Sequence, residues 1–262
     1  MLITNPFAEL SASIAPALIQ AYVVVMFLLV VGGTLFDIIH KRSARYFFDN
    51  WRSSKSKGTQ RVGAARLVSL GVQTAAVEVL TSSEFCNQRR RLAHLLTMYG
   101  FLAYVVTTAI MVLAYPTPAD DTPVILPLLW HLGALMVCVG GYWFWFFMRV
   151  DVAAEAYSPF RIVRADLFIL SLVASATLGL IWSISQWIGH SWWTSLVFGL
   201  YVFATTVLFG SVAWSKFAHM FFKPAAAFQK RVAEADGSRS NLPAPADKPE
   251  SLGSARGLPQ HY

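Results

Sequence analysis

Residues 167–215 read LFILSLVASATLGLIWSISQWIGHSWWTSLVFGLYVFATTVLFGSVAWS, a stretch without one Asp, Glu, Lys or Arg. About 20 apolar residues suffice to cross about 30 Å of hydrocarbon as a helix, so this stretch is too long for one crossing. It divides at WIGHSWW, Trp187–Trp193, where Gly189, His190 and three Trp have the composition of a turn at the membrane interface. Two spans are predicted from it, about 165–187 and about 193–219. Working outward, three more runs of the same kind precede them, at about 14–39, 91–113 and 123–148. The expected fold is all-α, a membrane bundle of five transmembrane helices occupying residues 1–222.

Composition agrees. Only 13% of the 262 residues are charged, about half the usual share in soluble domains, and the mean hydropathy is +0.51. A surface so poor in charge must be covered partly by lipid. The first apolar run has no Lys or Arg before it and is too long for a cleavable signal, so it reads as a retained span.

Charge placement orients the bundle. The 21 Lys and Arg fall into three groups: eleven from Lys41 to Arg91, three at Arg149, Arg161 and Arg164, and seven from Lys216 to Arg256. Those groups are alternate connections, so the positive-inside bias puts them in the cytoplasm and the N-terminus outside. The net charge of +7 is thereby a topology signal, and nucleic acid is not an expected partner. Residues 62–85, VGAARLVSLGVQTAAVEVLTSSEF, alternate apolar and small residues at helical spacing and read as an amphipathic segment at the membrane surface or against a partner. Residues 223–262 read as a cytoplasmic tail, largely disordered, since 236–262 are rich in Ser, Pro, Gly and Ala with scattered charge. Cys86 and Cys138 match no metal or redox spacing.

Six histidines remain to be sorted. His261 lies in the tail, His190 in the outer turn, and His40 at the end of span one beside Lys41 and Arg42. His94 and His219 stand near the cytoplasmic ends of two antiparallel spans. One imidazole from each of two helices at like depth is what a low-spin b-type haem requires, with cations such as Arg90, Arg91 and Lys216 at the level of its propionates. Two interfacial histidines without haem would leave the same pattern. His131, after Trp130 in span three, is open to three roles: a ligand in a second haem site, a partner for a quinone carbonyl, or a hydrogen-bonded packing residue. A transporter is disfavoured, because five spans do not form two equal halves and no charge lies mid-membrane.

The end of span five, WSKFAHMFFKP, resembles the motif closing the last helix of the nitrate reductase gamma-subunit family, the membrane cytochromes b that include those of heterodisulfide reductase. The start of span two, RRRLAHLLTMYGFLAY, resembles that family's second helix. The resemblance implies an inner haem b held by His94 and His219. In the nitrate reductase branch further histidines occupy the positions of Tyr104 and Tyr201, so an outer haem is expected to be lost or rebuilt around His131. The stretches GTLFDIIHKRSARYFFDNW, LTSSEFCNQRRRLAHLLTMYGFLAY, LLWHLGALMVCVGGYWFWFFMRVDVAAE and FRIVRADLFILSL are similar to membrane anchor subunits of dissimilatory adenylylsulfate reductase. That likeness implies a bacterial inner-membrane subunit passing electrons between a cytoplasmic iron–sulfur flavoenzyme and quinone. The alternative is a haem-free anchor that only recruits the enzyme.

Overall fold

The computed structural model describes residues 2–40, 43–58, 60–82, 87–149, 158, 160–189, 191–212 and 219–238, with the backbone alone at 219–223. No strand occurs among them. Among the described residues eight α-helices run in order: α1 Pro16–His40, α2 Ser43–Lys57, α3 Ala64–Thr74, α4 Gln88–Ala114, α5 Ile125–Trp143, α6 Leu167–Ile188, α7 Ser191–Gly210 and α8 His219–Ala235. α5 continues through a widened turn over Phe144–Met148. Five helices are long and apolar enough to cross a membrane: α1, α4, α5 with its extension, α6 and α7. The chain is a multi-pass membrane protein.

Two compact units share the chain, Met1–Lys41 with Thr81–Met220, and Arg42–Leu80 with Phe221–Tyr262. The first holds the five spans. Its closest helix pair is α4 with α5, and glycine explains why. A Cβ on Gly100 would sit 2.7 Å from the Gly133 carbonyl oxygen, and one on Gly140 would sit 2.7 Å from that of Ala93. Lipid supplies no hydrophobic drive between apolar helices, so van der Waals contact must do the work, and small residues let backbones touch. Because Gly140 meets Ala93 and Thr97, the C-terminal end of α5 lies level with the N-terminal end of α4.

At the other end of these helices the N-terminal segment is stitched down. Asn5 Nδ2 donates to the Tyr115 carbonyl (2.9 Å) and to Thr122 Oγ1 (3.2 Å), while its Oδ1 accepts from the Phe7 N–H. Gln186 Nε2 donates to the Pro6 carbonyl at 3.0 Å. Phe7 is thereby lodged against Trp130 and Trp182, ring centroids 5.6 and 5.4 Å away.

The second unit contains α2, α3 and most of α8. Trp51 of α2 stacks on Phe228 of α8 (5.9 Å, 19°), and Gly71 of α3 faces the same Phe228 ring. Helix α7 is described to Gly210, with a turn at 211–212; residues 213–218 of the expected fifth span lie outside the described residues, and α8 is described from His219. Over 223–235 Phe228, Val232 and Ala233 fall on one face of α8, and Val232 and Ala233 are buried. The α3 segment forms within the predicted 62–85, whose last residues, 83–85, lie outside the described ones.

Candidate functional site

α4 begins at Gln88, a turn before Arg91. Asn87 caps it, its side-chain oxygen accepting from the N–H of Arg89 (2.9 Å) and of Arg90 (3.4 Å). A short polar side chain at that position satisfies amides that have no intrahelical partner. Arg91 turns back and donates from Nε to the Thr81 carbonyl at 2.6 Å. His94 follows in the second turn, half-buried, next to Ala93 at the Gly140 crossing. His219 is the first residue of α8, described by its backbone. Lys216 and His190 lie outside the described residues. Since α7 stops at Gly210, the spacing from Tyr201 to His219 does not run along one helix. His94 stands one turn beyond Arg90 and Arg91 on α4, an imidazole with cations beside it that suits one axial place of a haem; the side chain of His219 lies outside the described residues.

The same test fails at the second level. His131 is buried, with Nδ1 2.7 Å from the Pro127 carbonyl and Nε2 2.8 Å from Ser183 Oγ. A carbonyl can only accept, so Nδ1 carries the proton; in the neutral ring Nε2 then accepts from the Ser183 hydroxyl. Neither nitrogen is left for an iron or for a quinone carbonyl. The packing role is the one this geometry fits.

Tyr104 and Tyr201 are buried between α4, α6 and α7. The Tyr104 hydroxyl donates to the Ser175 carbonyl at 3.3 Å, and Ser175 Oγ lies 2.9 Å from Thr205 Oγ1. Trp130, fully buried, packs on Tyr104 at 5.4 Å and donates from Nε1 to Thr108 Oγ1 at 2.9 Å. Trp182, also fully buried, stacks on Tyr201 at 5.6 Å with planes 10° apart. Room for the Tyr104 hydroxyl comes from Gly179, where a Cβ would sit 2.8 Å away. This level is filled by side chains, and the four predicted residues form a packed polar-aromatic core there.

One group escaped the sequence reading. Arg149, 1% exposed, ends the α5 extension. The widened turn bonds its N–H to the Phe144 carbonyl and sets its guanidinium over the Trp145 ring, 4.1 Å from the centroid. Nη1 donates to the Ser158 carbonyl (3.1 Å) and Nη2 to the Arg161 carbonyl (2.6 Å) and to Asp166 Oδ2 (2.5 Å). Asp166 Oδ2 also accepts from the Val163 N–H. Arg149 reads in sequence as one of three loop cations, and only the seventeen-residue separation to Asp166 hides their pairing.

Compared with models of protein families, with curated proteins and with solved structures, the chain shows no match.

Proposed function

We propose that this chain is the membrane anchor and electron-transfer subunit of an oxidoreductase complex in a bacterial inner membrane. It passes electrons between a cytoplasmic iron–sulfur flavoenzyme, of the adenylylsulfate reductase type, and the quinone pool. The observation that carries the reading is His94. It is a half-buried imidazole in the second turn of a membrane helix whose first turn carries Arg89, Arg90 and Arg91. His219, at the start of α8, is its proposed partner. A b-type haem held by the two would supply one-electron transfer. Arg90, Arg91 and Lys216 would neutralise its carboxylates. The basic segment from Lys41 to Arg91 would attract an acidic partner surface.

The closed packing at Tyr104 and Tyr201 supports one haem rather than two. It also keeps a second reading in play, a haem-free anchor that only recruits the enzyme.

A pyridine haemochrome spectrum of the purified chain separates the two. One haem b per chain is expected, with the low-spin signal lost in His94→Ala and in His219→Ala. A colourless protein after expression with ample haem would leave the anchor reading alone.

A further inference from the structure

The connection between α5 and α6 presents an unusual surface. Phe160 is 89% exposed and Ile162 63%, with the exposed Arg161 between them and the exposed Arg164 two residues beyond. Large apolar side chains at that exposure cost free energy in water, and two of them flanking one arginine, with a second arginine two residues on, have the composition of an interface. This loop belongs to the end of the bundle that carries His94, since α5 ends level with the start of α4.

Two occupants suit such chemistry, lipid headgroups and a protein, and Arg149 decides between them. Its buried guanidinium grips the carbonyls of Ser158 and Arg161, on either side of Phe160, and its ion pair with Asp166 fixes the base of the loop. Burying an ion pair carries a desolvation penalty and is weak as a source of stability; what it supplies here is a fixed backbone. A lipid surface is fluid and gains nothing from a fixed backbone beneath Phe160. A protein pocket does, because a rigid anchor loses little entropy on binding. Phe and Arg are also enriched at protein interfaces relative to the rest of the surface.

We infer that Phe160, Arg161, Ile162 and Arg164 form the docking surface for the soluble iron–sulfur flavoprotein, with the two apolar side chains entering an apolar pocket rimmed by acidic groups. This rests on the electron-transfer or anchor reading above, both of which require a cytoplasmic partner.

The test titrates purified adenylylsulfate reductase against the full chain in phosphatidylcholine nanodiscs. Wild type is expected to bind. Phe160→Ser with Ile162→Ser should weaken binding about 30-fold, as loss of an interface hot spot does, and Arg161→Glu with Arg164→Glu should abolish it at low salt. All variants should keep the wild-type elution volume and circular dichroism. Wild-type binding with equal binding by the Phe160/Ile162 variant overturns the docking surface and leaves the partner reading standing. No wild-type binding overturns both. In a second measurement, a fluorophore at Val163→Cys, in a chain with Cys86 and Cys138 replaced by Ala, is exposed to nitroxide-labelled lipid and, separately, to iodide in the aqueous phase. Quenching by the labelled lipid before the reductase is added assigns the loop to the lipid and overturns the proposal; quenching by iodide alone, relieved when the reductase is added, supports it.

Discussion

His131 of α5 and Ser183 of α6 are joined across the bundle, Nε2 to Oγ at 2.8 Å, while Nδ1 of the same ring is tied to Pro127. The ring is a strut between two helices. His131→Ala and Ser183→Ala should each destabilise the bundle, and together they should cost less than the sum. A double-mutant cycle on unfolding in detergent is expected to return about 0.6–1.7 kcal/mol of coupling, the range for hydrogen bonds between membrane helices. The haem spectrum, where haem binds, should not change in either variant.

Gly100 and Gly133 are each within reach of the other's backbone, so a methyl group at either has nowhere to go. Gly133→Ala should lower stability by about 1–3 kcal/mol through overpacking. Gly32 of α1, with nothing within 4 Å of its would-be Cβ, should accept alanine without loss. Side-by-side thermal unfolding of the two variants checks the contrast.

Breaking the Arg149–Asp166 pair strands one buried charge. Arg149→Met and Asp166→Asn should each cost about 3–5 kcal/mol. Arg149→Lys should not restore the loss, because one ammonium cannot serve Ser158, Arg161 and Asp166 with the fork of a guanidinium. Limited proteolysis near Phe160 gives a local readout, with cleavage accelerated in all three variants.

Trp130 and Trp182 are equally buried but not equally satisfied. The Trp130 indole N–H reaches Thr108, whereas that of Trp182 has no hydrogen-bond partner. Each changed to Phe should lose similar packing, and Trp130→Phe should lose a hydrogen bond besides. The difference in unfolding free energy is expected at about 1 kcal/mol.

The span number and the extents of α1, α4 and α6 were legible because hydropathy acts on every residue of a helix that meets lipid. The fifth span is described as far as Gly210, and residues 213–218 of its expected extent lie outside the described residues. Helix α8 stops at Ala235, where the stretch rich in Ser, Pro and Gly, 236–262, begins. Among the candidate site residues, His94 was singled out by its place near one end of an apolar span, and its role is the proposal made above. His131 was located correctly, but its three roles could be narrowed only once Ser183, on another helix, was seen to face it. Arg149 was invisible as a buried group because its acceptors are backbone carbonyls, which no side-chain pattern announces.

The seating of Asn5, Pro6 and Phe7 orders events during synthesis. Their partners are Tyr115, Thr122, Trp130, Trp182 and Gln186, so these three residues, made before any of the spans, cannot settle until the fourth span has been made. A segment that precedes every span in synthesis is seated only after most of the bundle exists.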